Sequence, residues 1–384
     1  MRARARKSKG KCNCYFLYLQ KNIHLYQNLT RRMKANEKAP TNIFDVARRA
    51  GVSRGTVDRV VHKRGRVSQK TIAKVQKAIA ELGYTPNPNA SSLASKREYT
   101  FTCLIPKFHK GEYWEKIYDG FQQGAKTLSN YNILLKFHLY DQTDVRSYQH
   151  CCEQILHSST MGVITNAVFK EEVVRFANKL EELGIPYAFI DNKINGLNYL
   201  LYYGVDPYKS GALGAFLLTT RCDVKELVLI RLIRDQKHKA DPNASRRHGF
   251  LDYINETFPQ CKIHTLFIHP EHSEETYETL RCFFEEHPGV KHLAMTNSRV
   301  FLIDDYLNRN PDPERIVVGF DDLDRNLMSL RSGNIEYLVT RHIPMQSFYA
   351  LTIFAECVIK GTLPPHRNNY VHMDILHRHN LDDY

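Results

Sequence analysis

Arg54, Gly55 and Arg59 fall on one short helical stretch, with Ser53 and Thr56 beside them. That set of side chains suits the reading of duplex DNA. An arginine guanidinium can meet the O6/N7 edge of guanine with two hydrogen bonds, worth about 1–3 kcal/mol of discrimination against a wrong base. Gly55 offers no side chain, so the base facing it would be read weakly. The hydroxyls of Ser53 and Thr56 and the cations Lys63, Arg64 and Arg66 suit phosphate oxygens, which orient a protein on DNA without reporting sequence. The other reading of these cations is a solvated helix face.

The distribution of charge favours the first reading. The net charge is +13, yet residues 1–32 hold nine Lys/Arg and no Asp/Glu, residues 33–97 hold fourteen against four, and the rest holds 31 against 37. A basic end on a mildly acidic body is the footprint of a nucleic-acid-binding module. Residues 1–38 form a basic extension with little periodicity, expected to be disordered. Met33 sits just before the first organised element and is expected to be the natural start, so that 1–32 are not made. An intact mass beginning at Met1 would contradict that expectation.

Other chemistries find little footing. Gly211 and Gly214 form only a GxxG within a helical stretch, which reads as close packing and not as a dinucleotide fingerprint. No GxxxxGKS/T, GxSxG or HExxH occurs. The nine cysteines are scattered, and Cys12 with Cys14 supplies too few ligands for a zinc site. The 18 histidines, His377 and His379 among them, lack a metal-site frame. No metal, no cofactor and no enzymatic activity are expected. No apolar run approaches the length of a membrane span, and the stretch 15–19 is too short for a secretory signal. With cysteines scattered and odd in number, a reduced, cytoplasmic protein is expected.

The elements that must position the first set of residues are readable locally. Asn42 is placed to cap a helix over 43–50, Gly51 breaks it, and Ser53 caps a second helix to about 61. Two short helices joined through a glycine-containing turn are a helix-turn-helix. Ser68 caps a third helix over 69–82, ended by Gly83. Pro86 and Pro88 mark a linker, in which 89–95 could form one or two helical turns. From residue 99 onward strand-like runs alternate with amphipathic helices, which implies parallel sheets covered on both faces. That length fits two doubly wound subdomains with a ligand crevice at the carboxyl ends of the strands.

Residues 42–93 closely resemble the lactose/galactose repressor family of bacterial regulators. The resemblance rests on Ile43, Asp45-Val46-Ala47, Gly51-Val52-Ser53, Thr56-Val57, Arg59-Val60, Val67-Ser68, Val75, Ala80, Leu82-Gly83-Tyr84, Pro86-Asn87, Ala90 and Leu93. It implies base contacts at Arg54, Gly55 and Arg59. It implies a hinge segment at Asn87, Ala90 and Leu93 that enters the minor groove, with Leu93 as the wedge. Leu93 packing the linker against the core is the alternative. Asp58 stands where the family often has serine, which puts base preference in doubt but not DNA binding.

The resemblance also implies a periplasmic-binding-protein-like, sugar-binding core of type I. Its effector contacts would fall at Tyr113, Trp114, Asp191, Arg246, Asn297, Asp321 and Arg341. Trp114 could equally be a helix-core residue, and Asp206 reads first as the cap of a helix begun by Pro207. Ser298 replaces a common aspartate and Arg341 a common glutamine. The extra cation beside Arg246 makes a sugar acid or sugar phosphate a reasonable effector, alongside an ordinary carbohydrate.

The expected fold is therefore a small all-α helix-turn-helix headpiece (40–85), a hinge linker (86–97) and an α/β core (98–384) of two doubly wound parallel-sheet subdomains. One subdomain is expected over about 98–197 plus 341–365, the other over 198–340 plus the C-terminal end. The expected function is a DNA-binding transcriptional repressor of carbohydrate-related genes that binds a palindromic operator as a homodimer or tetramer. The alternative is a solute-binding protein of a sugar transport system, disfavoured by the headpiece and by the lack of an export signal.

Overall fold

The computed structural model describes residues 43–61, 65, 67–82, 98–128, 131–220, 224–233 and 243–383. The chain divides into two compact units, one up to Ser91 and one from Ser92.

The first unit contains α1 (Ile43–Ala50), α2 (Arg54–Val61) and α3 (Gln69–Leu82). Val46, Val57 and Val75 are fully buried, with Ala47, Ala50 and Ala78 between them. These six small side chains bring three short helices together where none would persist alone in water. Gly51 takes a left-handed φ of +65°, and the Val52 amide donates to the Ala47 carbonyl at 3.0 Å. This is a Schellman end, the 6→1 bond that closes a helix through glycine. The Ser53 hydroxyl accepts from the Thr56 amide at 3.2 Å, and the Ser68 hydroxyl from the Thr71 amide at 3.3 Å, so both act as caps. Arg49 bonds Glu81 and ties α1 to α3.

The second unit holds two six-stranded sheets. The first contains β1 (Tyr99–Pro106), β2 (Ile133–Tyr140), β3 (Val163–Thr165), β4 (Tyr187–Ile190), β5 (Leu201–Gly204) and β11 (Asn368–Tyr370), ordered β11-β5-β4-β3-β1-β2 and wholly parallel. The second contains β6 (Glu226–Leu232), β7 (Lys262–Ile268), β8 (His292–Met295), β9 (Ile316–Phe320), β10 (Tyr337–Thr340) and β12 (Asp374–Leu376), ordered β12-β10-β9-β8-β6-β7. Only β12 runs antiparallel there. Central strands such as β4 and β9 are buried along their whole length, as strands covered on both faces must be. The order is the same in both lobes, so β4 and β9 occupy equivalent places.

Helices cover both sheets. In the first lobe they are α4 (Tyr113–Thr127), α5 (Val145–Leu156) and α6 (Lys170–Glu182). In the second they are α7 (Pro207–Leu218), α8 (Ala244–Thr257), α9 (Ser273–Glu286), α10 (Asp304–Arg309) and α11 (Asp324–Ser332). The long α12 (Ile343–Lys360) returns to the first lobe, where Phe354 and Ala355 join its core. Among the described residues no helix is long and apolar enough to cross a membrane.

The lobes differ from the sequence reading at their boundaries. β5 pairs with β4, so the first lobe extends past residue 197 to Gly204. The C-terminal segment supplies two short strands, β11 to the first sheet and β12 to the second. The chain thus crosses between lobes three times, after Gly204, after Thr340 and after Tyr370. Edge strands of three or four residues carry too little pattern to disclose their sheet. The helical stretch after β8 begins as a 3-10 turn, Val300–Ile303, before α10.

Candidate functional site

Two surfaces collect the nominated residues. In the first unit, Val57 faces inward on α2, leaving Ser53, Arg54, Gly55 and Arg59 exposed and Thr56 half-buried. Four of the five nominated residues that are described are thus exposed, three on the second helix and Ser53 at its cap. Arg54 lies 5.1 Å from the centre of the Phe44 ring, itself exposed on α1. Lys63, Arg64, Arg66, Asn87, Ala90 and Leu93 lie outside the described residues.

In the second unit, four charged side chains meet between the lobes. Asp191 follows β4 and Asp321 follows β9, and both hold left-handed backbone, with φ of +63° and +71°. Aspartate is among the few residues that enter this region readily. The equivalent strand ends thus present equivalent carboxylates to the same space. Arg341, at the second crossing, joins them. Its Nη1 donates to Asp191 Oδ1 at 2.6 Å, and its Nε and Nη2 donate to the two oxygens of Asp321 at 2.7 and 3.3 Å. The guanidinium carbon lies 4.5 Å from the centre of the Tyr113 ring, whose hydroxyl donates to Asp191 Oδ1 at 2.9 Å.

Arg246 on α8 completes the group. Its Nη1 donates to the Thr296 carbonyl at 3.0 Å and stands 3.8 Å from Asp321 Oδ2, over the Phe320 ring. Its Nε is buried without a hydrogen-bond partner among the described residues, an uncommon condition for a donor in a folded protein.

Burial dominates the electrostatics. It opposes the charge of Arg341, but the carboxylates of Asp321 and Asp191 and the Tyr113 hydroxyl outweigh it and raise that guanidinium's pKa well above the ordinary value. Burial first, and Arg341 second, lower the pKa of Arg246. Burial raises that of Tyr113, so its phenol stays protonated and donates. Two cations face two anions. The positive excess that pointed to an acidic effector is therefore absent, because Arg341 is spent on the two aspartates.

Further contacts bridge the lobes. Arg299 pairs with Glu112 at 2.7 Å, and Lys116 donates to the Asp322 carbonyl at 2.7 Å with Asp324 at 3.5 Å. His342, at a φ of +45°, meets Asp374 at 2.5 Å and ties the second crossing to the third.

Both units match known protein families. Residues 42–87 match the model of bacterial regulatory proteins, lacI family, and residues 102–361 match the periplasmic binding protein domain. A crystal structure of a protein from Bacteroides fragilis assigned as a LacI transcriptional regulator is 30% identical, with a TM-score of 0.70, over 75% of this chain and 100% of that one. The chain belongs to the lacI family of bacterial regulatory proteins. The family is one of transcriptional regulators, not of enzymes. The HTH-type transcriptional regulator RegA of Clostridium saccharobutylicum is 34% identical over 37% of this chain and 41% of its own length. The ribose operon repressor of Lactococcus lactis is 27% identical over 47% of this chain and 51% of its own length. The aligned part is thus about half of these relatives or less.

Within this lacI-family chain, five of the seven nominated effector residues come together: Tyr113, Asp191, Arg246, Asp321 and Arg341. Trp114 is 8% exposed in the apolar cluster of the first lobe, edge-to-face with Tyr113, and core packing accounts for its position. Asn297 lies two residues past the end of β8 and accepts from the Arg299 amide, a local turn contact. Asp206 accepts from the Lys209 amide at 3.2 Å and caps α7. Sequence reasoning passed over Phe44, Glu112, Lys116 and Arg299. Lys116 had a usable signal, standing three residues beyond Tyr113 on the same helical face. Glu112 and Arg299 had none, being 187 residues apart.

Proposed function

We propose that this chain is a sugar-responsive repressor that binds a twofold-symmetric operator as a dimer in the cytoplasm. The observation that carries the reading is the exposed row Ser53, Arg54, Gly55 and Arg59 on the second helix of a lacI-family headpiece. Arg54, Gly55 and Arg59 face base edges, with Arg54 the strongest reader. Ser53, Thr56, Lys63, Arg64 and Arg66 hold phosphates. Asn87, Ala90 and Leu93 form the hinge, and Leu93 wedges into the minor groove, where an apolar side chain can unstack a base step. A dimer follows because a single short helix reads only a half-site.

The effector enters the space bounded by Tyr113, Asp191, Arg246, Asp321 and Arg341. Carboxylates and guanidiniums in convergent array suit a polyhydroxyl compound. The ribose operon repressor and the sucrose operon repressor of Staphylococcus xylosus, each 27% identical in its aligned part, support a carbohydrate. The neutral balance of the group favours an uncharged sugar over a sugar acid.

The test is mobility-shift selection of operator fragments by the purified full chain, then a sugar screen on the selected complex. A palindromic footprint with steep salt dependence is expected. Leu93→Ala is expected to weaken that footprint while leaving non-specific binding nearly unchanged. Equal loss of both removes the wedge, and binding to no fragment above the non-specific level overturns the function.

A further inference from the structure

The geometry points to Arg341 as an internal occupant of the effector cleft, a latch that holds the two lobes closed in the absence of any small molecule. The inference rests on reading that cleft as the sensor site. Three observations carry it.

First, the guanidinium uses acceptors from opposite lobes, Asp191 of the first and Asp321 of the second, with three hydrogen bonds between 2.6 and 3.3 Å. Second, it is stacked on Tyr113 and almost wholly buried, its side chain 9% exposed beside Asp321 at 1%. A planar group with several donors, seated between the lobes and over an aromatic ring, fills the role of a bound polyhydroxyl ring. Third, the contacts around it are made in the closed arrangement: Glu112 with Arg299, Lys116 with the Asp322 carbonyl, and Leu323 of the second lobe within the apolar cluster that contains Trp114.

Two consequences follow. An effector that needs Asp191 and Asp321 must displace Arg341. Removing the guanidinium leaves a buried Asp321 and a partly buried Asp191 in the same space, with Arg246 at 3.8 Å from Asp321 and the Tyr113 hydroxyl on Asp191 as their remaining described partners. The lobes should then part, and the vacated place should accept a small planar cation.

The chain supplies its own reporter, because Trp114 is its only tryptophan and lies in the cluster shared with Leu323. Wild-type full chain, free of sugar and DNA, is expected to show blue-shifted Trp114 emission that acrylamide quenches poorly. Arg341→Ala is expected to shift the emission to the red and to raise quenching several-fold. Millimolar methylguanidinium should restore the wild-type signal, whereas methylammonium or urea at the same concentration should not. Asp191→Asn provides a second variant, since it exchanges the charge-assisted bond to the first lobe for a weaker neutral one but keeps the Arg341–Asp321 pair within reach. It should open the lobes with circular dichroism unchanged. The inference is overturned if Arg341→Ala and Asp191→Asn keep Trp114 as protected as in the wild type. It is also overturned if methylammonium rescues as well as methylguanidinium. No DNA is present in this assay, so failure to bind an operator would sink the proposed function and leave the latch result standing.

Discussion

Gly211→Ala should separate α7 from α8 and disable the sensor from behind. A methyl group at Gly211 would stand 1.8 Å from the Arg246 carbonyl oxygen, 2.8 Å from its carbon and 2.9 Å from the Phe250 nitrogen. The partner position is reciprocal, for a methyl at Gly249 would meet the Tyr208 carbonyl oxygen at 1.9 Å. All these atoms are backbone, so no side-chain rotation relieves the clash and the helices must move apart by more than an ångström. Overpacking of this kind costs about 1–3 kcal/mol, and a backbone contact belongs at the upper end. Alanine recovers roughly 1 kcal/mol through its better helix propensity. The clash wins, leaving about 2 kcal/mol of destabilisation. For the unit from Ser92 to Tyr384, with about 2.1 cal/mol/K of unfolding entropy per residue, that lowers the melting temperature by roughly 3 °C. Because the displaced carbonyl is that of Arg246, its guanidinium should also leave its place over Phe320, and effector binding should weaken. The assay is thermal unfolding by circular dichroism, with Gly249→Ala and the double variant alongside. One separation accommodates both methyl groups, so the double variant should lose less than the two single losses added. Gly55→Ala is the contrast, since its methyl meets only the Ser53 hydroxyl at 4.0 Å and should not destabilise the headpiece. A Gly211→Ala melting temperature equal to the wild type would refute the reasoning.

Two further outcomes are expected. Arg54→Ala should lose about 1–3 kcal/mol of discrimination at one base pair of the selected operator while keeping most non-specific affinity. Competition with base-substituted operators measures this, and a uniform loss on every sequence would make Arg54 a phosphate contact instead. His292 on β8 is 8% exposed, and burial holds its pKa below the ordinary 6.5. The unfolded chain therefore takes up its proton first as pH falls, so the stability tied to neutral His292 is complete above about 6.5 and is lost on acidification toward the folded pKa. Urea midpoints between neutral and mildly acidic pH should fall more steeply for the wild type than for His292→Gln, and parallel slopes would remove His292 as the cause.

Much of the architecture was legible because it is local. The glycine at position 51, the cap at Ser53 and the inward valines 46, 57 and 75 each follow from spacing within one or two turns. The alternation of strands and helices from residue 99 onward likewise follows from patterns within single elements. Gly211 and Gly214 are packing glycines, the latter against the Phe320 ring, as their place inside a helical stretch implied. What could not be read is what depends on partners far along the chain. The position of Arg341 was recognisable, but not that its guanidinium would reach Asp191, 150 residues earlier. Without that pairing it counted as a surplus cation, and an acidic effector seemed reasonable. The third crossing was hidden for a similar reason, since three-residue strands such as β11 and β12 are defined by the sheet they join.

The internal symmetry of the core bears on what kind of molecule can regulate it. Two lobes of one strand order place Asp191 and Asp321 at matching strand ends, so whatever bridges the two carboxylates also fixes the lobes. A ligand shifts such an equilibrium only through its different affinities for the open and closed states. Where Arg341 already supplies the bridge, a ligand that merely favours closure has little left to shift. Reversing a closed population of about 99% takes roughly 10⁴-fold tighter binding to the open state. A molecule reaches that selectivity here by taking the oxygens of one aspartate once Arg341 has left, without spanning to the other. The buried Nε of Arg246, which has no partner among the described residues, adds a donor on the same side. On the latch proposed above, the effector is therefore a competitor of Arg341, one with donors for a freed aspartate and at least one acceptor for Arg246.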